Sequence, residues 1–151
     1  MEKTKPQLLA RAIAMAAEAH QRQLDKAGSP YILHPLRMML RAQSLDEQIV
    51  AVLHDVVEDS DWTLEQVGEE GFGESITAAL DCLTHRPKEG YDDYLDRILT
   101  NPLATQVKFY DLEDNMTLTR LSALTERDLE RVSKYHQAHQ RLLEALARIR
   151  A

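Results

Sequence analysis

One cysteine in 151 residues excludes an internal disulfide framework. Cys82 lies in the apolar run Ala78-Ala79-Leu80-Asp81-Cys82-Leu83, where a buried, reduced thiol is expected rather than a nucleophile, and with it a cytoplasmic protein. Glycine and proline number five each and aromatic residues make up only 5% of the chain. That is little material for a turn-rich β-sandwich, so helices are expected. No stretch approaches the length of a membrane span, and Met1 to Pro6 has no apolar leader segment. Positive charge is short as well. Eighteen Lys and Arg against 25 Asp and Glu give a formal net charge of −7, which argues against duplex nucleic acid as a partner. A small phosphorylated ligand stays open, because a bound divalent cation reverses the local sign.

What the chain does have is a globular composition, 44% hydrophobic and 28% charged. Residues 1–151 are read as one domain, large enough to bury a core. Helix signals recur along it. Thr4-x-x-Gln7 caps a first helix ending near His20, followed by a loop from Gln21 to Pro30. A second helix starts near His34-Pro35, and Ser44-x-x-Glu47 caps a third that carries His54-Asp55. Thr63-x-x-Gln66 opens a short fourth, Glu74 to Thr84 is a fifth and Tyr91 to Leu99 a sixth. Asn101-Pro102 opens a seventh that reaches past Asn115. A last helix follows Thr125-x-x-Asp128, with Leu129, Val132, His136, His139, Leu143 and Leu146 on one face. That face is expected to pack on the chain's own core in preference to forming a dimer seam, since two histidines make a poor zipper. The fold class is therefore all-α, a compact bundle of about seven to eight helices.

The run Ile49-Val50-Ala51-Val52-Leu53-His54-Asp55-Val56-Val57-Glu58-Asp59 is apolar and helix-forming, yet it carries an imidazole and three carboxylates. Burying such groups is costly unless they are paired, and a cation is a suitable partner. His54 and Glu58 share one helical face; Asp55 and Asp59 form a second pair about 100° away. His34 lies at a helix start, and Asp111 shares its face with Asn115. Two imidazoles and two carboxylates suit Mn²⁺, Fe²⁺, Co²⁺ or Zn²⁺ in a site completed by water, with Mg²⁺ also in range. His85 lies beside Arg86 and Lys88 in a loop and is left out of this set, and His136 and His139 are expected at the core edge or the surface.

These words, in order, resemble those of the HD-domain metal-dependent phosphohydrolases. More narrowly, they are similar to the hydrolase domain of the bifunctional guanosine tetraphosphate, or (p)ppGpp, enzymes and to their small stand-alone relatives. Ala19-His20, Gln23, Lys26, Gly28, Pro30-Tyr31-Ile32 and His34-Pro35 follow the opening motif. Leu53-His54-Asp55-Val56-Val57-Glu58-Asp59 follows the central one, and Val107 to Met116 the third. The resemblance implies an all-α HD fold and one divalent metal ion, typically Mn²⁺, held by His34, His54, Asp55 and Asp111. It implies that Glu58 and Asp59 position or activate the attacking water. Lys26 and Asn115 would touch the substrate, with Tyr31 close to the nucleotide. The implied reaction is hydrolysis of the 3′-pyrophosphate of guanosine tetra- or pentaphosphate by a metal-activated water. At 151 residues the chain has no room for the synthetase and regulatory domains of the large enzymes, so the implied activity is degradative.

The chain departs from the pattern where the family has an arginine that packs on the guanine base: Asp25 stands there. Arg22 takes the place of a glycine and Ala27 that of a serine. An aspartate neither stacks on a purine nor attracts phosphate. Two further readings therefore stand beside the first. One is an HD-domain nucleotidase or phosphohydrolase acting on another nucleotide or phosphoester. The other is a non-catalytic metal- or nucleotide-binding sensor. Lys26, Arg22, Lys108, Arg86 and Lys88 are the candidate phosphate donors, of which Lys26 alone has both a motif match and a loop position.

Overall fold

Side-chain caps set most of the helix starts in the computed structural model, which describes Met1–Ala151. Gln7 Oε1 accepts from the Thr4 backbone N–H at 2.9 Å ahead of α1, Lys5–Ala19. After the loop, α2 spans Leu33–Arg41. Ser44 Oγ accepts from Glu47 N at 3.2 Å to open α3, Leu45–Leu53. A single turn, α4, covers Val56–Asp59. Thr63 and Gln66 bond reciprocally at 3.0 and 3.1 Å at the start of α5, Leu64–Glu69, and α6 is Glu74–Leu83. Then come α7, Tyr91–Leu99, and α8, Pro102–Asn115, the latter capped by Asn101 Oδ1 on Ala104 N at 2.9 Å. A 3₁₀ turn at Leu118–Arg120 leads to α9, Glu126–Arg150, which the Thr125–Asp128 capping box opens. There are no strands beyond one isolated bridge between Leu24 and Pro30.

The bundle is organised around α3. Ile49, Val50, Ala51, Val52 and Leu53 are all at most 1% exposed, so the second half of this helix is apolar all round and enclosed by the neighbouring helices, among which α1, α2, α6 and α8 pack on α3. Burying each of its large side chains stabilises the fold by about 1.5–3 kcal/mol. α8 is the second pillar, packed against α2, α3, α6, α7 and α9.

Two features differ from the sequence reading. The third helix does not run through His54-Asp55 to Asp59. It stops at Leu53, and Asp55 sits in the bridge region at φ −106°, ψ 0° before α4 resumes. Counting α3 and α4 as one broken helix gives eight helices. In α9 the buried stripe is Ala138, Leu142 and Leu146, with Tyr135 beside it, and packs on α8 and α7. Leu129 and Leu143 are 56% and 43% exposed, because the buried stripe is centred on Ala138, Leu142 and Leu146 and leaves those two leucines to one side. His139 does lie at the core edge, stacked on Phe109 with centroids 4.4 Å apart, and His136 is exposed.

Candidate metal centre and adjoining cavity

The interruption of the helix after Leu53 shapes the site. In an unbroken helix, neighbouring side chains diverge by about 100°. Here His54 Nε2 lies 2.9 Å from Asp55 Oδ2 and 3.6 Å from Asp111 Oδ1. α2 delivers His34 from its first turn, and α8 delivers Asp111 from the buried face it turns to α2 and α3. The ligand atoms of His34, His54 and Asp111 lie within 4.8 Å of one another, and all three residues are buried. Asp55 stands beside that trio, its Oδ2 accepting from the Tyr31 hydroxyl.

The histidines are oriented from behind. His54 Nδ1 is 2.7 Å from the Ala51 carbonyl, an acceptor, so Nδ1 carries the hydrogen and Nε2 is turned to the carboxylates. That Nε2 is buried and makes no hydrogen bond. A bare lone pair facing two carboxylates is repulsive, so positive charge belongs there: a proton on Nε2, in keeping with the raised pKa of His54, or a cation in the proton's place. His34 Nε2 is 2.9 Å from Asp111 Oδ1, and its Nδ1 is 2.6 Å from Asp114 Oδ2. Asp111 also accepts from Lys108 Nζ at 2.7 Å and from Asn115 Nδ2 at 3.0 Å. Two imidazole nitrogens, one of them orphaned, and the Asp111 carboxylate at one point, with Asp55 beside them, fit a divalent cation by donor type.

The electrostatics divide the carboxylates into two sets. Burial alone raises a carboxyl pKa, yet His54 beside Asp55 brings that group down to about 2. Lys108 and the two histidines likewise overcome burial and hold Asp111 well below the usual carboxylate range. In the opposite sense, desolvation, aided by the charge of Asp55, pushes Glu58 and Asp59 up. For His34 and His54 burial works downward, but the facing carboxylates outweigh it and raise both. Desolvation and the neighbouring Asp55 raise Tyr31, which stays a neutral donor.

Glu58 and Asp59 flank the centre from α4. Glu58 Oε1 accepts the backbone N–H of His85, while the His85 ring stacks on Tyr94 at 4.5 Å and takes no part in the ligand cluster. Asp59 Oδ2 accepts from Gln23 Nε2 at 3.1 Å, and Gln23 Oε1 is 2.8 Å from Nδ1 of the buried His20.

A cavity of about 320 Å³ opens beside His34 and Asn115. Lys26 and Tyr31 line it, as do three arginines, Arg37, Arg120 and Arg131, that the sequence reading did not single out. Asp25 is there too, but its Oδ1 is turned into its own loop, accepting from Ala27 N and Ser29 N, both at 2.9 Å. Arg86 pairs with Asp81, and neither Arg22 nor Lys88 reaches this wall. Asp114, also missed, is the carboxylate behind His34. Its one signal is spacing: Arg37 is three residues after His34, and Asp114 three after Asp111.

Residues 12–85 match a family model described as HD domain. Over 118 residues the chain is 35% identical to the guanosine-3′,5′-bis(diphosphate) 3′-pyrophosphohydrolase of Aquifex aeolicus, an alignment covering 70% of this chain and 17% of that protein. Over 143 residues it is 34% identical to the probable enzyme of that name from Synechocystis sp., covering 84% of this chain and 19% of the other. The chain thus spans about a fifth of the length of these relatives. A solved structure of a metazoan ortholog of SpoT, described as hydrolysing ppGpp, superimposes with a TM-score of 0.71 at 21% identity, covering 97% of this chain and 87% of that one. At that identity the likeness is one of fold, and the fold is the same all-α bundle.

Proposed function

The chain belongs to the HD-domain family, and from that premise we propose that it is a metal-dependent phosphohydrolase that removes the 3′-pyrophosphate of guanosine tetra- or pentaphosphate or of a related nucleotide. One observation carries the reading. The orphaned His54 Nε2 faces carboxylates at a point where His34 and Asp111 converge, and His34 also lines a cavity that holds Lys26 and three arginines together with Asp25, Asp114 and Asp128. We take residues 1–151 as one such domain, acting in the cytoplasm, where the unpaired Cys82 stays reduced.

His34, His54, Asp55 and Asp111 would hold the cation, with Mn²⁺ as the metal of choice. When bound, a divalent cation supplies Lewis acidity towards water and phosphate oxygen. The chain's own residues do the rest. Glu58 and Asp59, on the solvent side of the centre, orient a water and accept its proton as its oxygen attacks the phosphorus bonded to the 3′ oxygen. The P–O3′ bond breaks, pyrophosphate departs carrying the water oxygen, and the 3′ oxygen takes up a proton from solvent. Tyr31 holds Asp55 through its hydroxyl, and Asn115 holds Asp111. Lys26 offsets the charge of the bound phosphates, with Arg120 and Arg131 on the same wall beside Asp114 and Asp128. The nucleoside lies in the cavity, between the Leu24–Ala27 loop and the start of α9.

The turnover assay compares guanosine tetraphosphate, its adenosine counterpart and a panel of mono-, di- and triphosphates on metal-stripped protein reloaded with Mn²⁺, with Asp55→Ala as the blank. Pyrophosphate release from the guanosine substrate alone bears out the proposal. A second reading keeps the chemistry and changes the nucleotide. The bonding of Asp25 into its own loop favours it, since the place the resemblance assigns to a base-stacking arginine is occupied by a turn-closing carboxylate. Phosphate release from other nucleotides with the tetraphosphate untouched selects it. Binding without turnover under every metal rejects both in favour of a sensor.

A further inference from the structure

His34 is gripped from the side away from His54. Its Nδ1 is 2.6 Å from Asp114 Oδ2, and Asp114 is only 6% exposed. That carboxylate is held in turn. Arg37 donates Nε to Oδ1 at 2.8 Å and Nη2 to Oδ2 at 2.9 Å. Arg120 Nη2 donates to the Asp114 carbonyl at 2.7 Å and reaches Oδ2 at 3.4 Å. The arrangement follows from two matched spacings: His34 and Arg37 lie one turn apart on α2, and Asp111 and Asp114 one turn apart on α8. Packing α2 against α8 sets histidine and arginine against the two aspartates.

A carboxylate at Nδ1 takes the Nδ1 hydrogen and makes Nε2 the nitrogen presented to Asp111 and His54. It also stops the ring from turning over about χ2, which would present a carbon in place of a nitrogen. The two-pronged Arg37 contact fixes the plane of that carboxylate, a geometry that lysine or a single hydrogen bond does not supply.

We propose that Asp114 is a positioning residue for His34, and that Arg37 acts through Asp114, so that the pair sets how tightly the centre holds its cation. This rests on the reading that His34 is one of the cation's ligands. Orienting partners of this kind are worth roughly 10–100-fold in metal affinity.

The test measures Mn²⁺ affinity of metal-stripped protein by chelator competition, in the parent, Asp114→Asn and Arg37→Gln. The visible spectrum of the Co²⁺-loaded form serves as a second readout. Asp114→Asn is expected to weaken Mn²⁺ roughly 10–100-fold and to change the Co²⁺ bands. Arg37→Gln, at a side chain 31% exposed, is expected to fold and to weaken Mn²⁺ by a smaller factor. A purely structural role would lower the melting temperature of the metal-free variants and leave affinity and spectrum at parent values; that outcome overturns the proposal. Should Asp114→Asn fail to fold, parent-like affinity in Arg37→Gln overturns it alone. A parent that binds none of these metals removes the metal-centre reading itself, whereas a parent that binds like its variants removes only this inference.

Discussion

His54 Nε2 and Asp55 Oδ2 are 2.9 Å apart although the two residues are neighbours in sequence, and the break in the helix between them makes that approach possible. A continuous helix would have sent one of the two side chains into the core beside Val52 and Val56. Ending α3 at Leu53 and restarting at Val56 turns both towards α2 and α8. Glu58 and Asp59 are carried on the restarted turn and lie further out.

That separation predicts two classes of variant. Asp55→Ala should lose bound metal and turnover together. Glu58→Gln should keep stoichiometric metal and lose turnover by on the order of 10²–10⁴-fold, the usual worth of a general acid–base group. Metal content of purified variants, set beside initial rates, checks both; metal lost from Glu58→Gln would contradict the division of labour.

Lys108 and Asp111 pair at 2.7 Å with side chains 11% and 8% exposed. Removing one member of such a pair strands a charge in the interior, at a cost of about 3–5 kcal/mol. Asp111→Ala should therefore unfold at lower urea concentration even with metal stripped away. Adding Lys108→Met to Asp111→Ala should recover part of the loss. A double variant no more stable than Asp111→Ala would show that the pair is not coupled.

The Glu89–Arg97 pair offers a pH prediction outside the set of candidate metal ligands. The two-pronged hydrogen bond from Arg97 brings Glu89 down to about 2 from an ordinary value of 4.5. A depressed folded-state pKa stabilises above the unfolded value and is lost as pH falls through the window between the two, here from about 4.5 to about 2. Glu89→Gln should lower the unfolding midpoint at pH 7 and close its gap to the parent towards pH 2. A constant gap across that range would mean that the contact acts by shape rather than charge.

Asp25 closes the loop of Lys26 by accepting two backbone N–H groups, and Gly28 completes the turn at φ +84°, a region that favours glycine. Asp25→Ala should cost about 1 kcal/mol of stability. It should raise KM more than it lowers kcat, because the loop positions substrate and not the reacting atoms. Steady-state kinetics with the substrate identified by the turnover assay gives the comparison.

Much of this was legible in the residues themselves. The caps at Thr4, Ser44, Thr63, Asn101 and Thr125 carry their signal within four residues, and the helices begin where they say. The convergence of His34, His54 and Asp111 follows from buried polar groups in apolar helices, which need a common partner. What escaped depends on the third dimension. The break at His54-Asp55 has no glycine or proline to announce it, because tertiary contacts to α2 and α8 favour it over the propensity of the run. Arg37 and Asp114 look like surface charges until two helices are laid side by side. In α9 the exposed Leu129 and Leu143 outweighed the smaller Ala138, although Ala138 is buried and the two leucines are not.

The enclosure of α3 by four neighbouring helices has a consequence for how the molecule breathes. Amide hydrogens from Ile49 to Leu53 are expected to exchange with solvent only on opening of the bundle, and those of the Gln21–Pro30 loop, held largely by turn bonds and one bridge, by local opening. His54 therefore hangs from the most slowly exchanging segment, and Lys26 from a far less protected one. Ligand-holding and admission are thus assigned to parts of the chain with different lifetimes, and the Gln23–Asp59 hydrogen bond is the link through which loosening of the entrance reaches the reacting side.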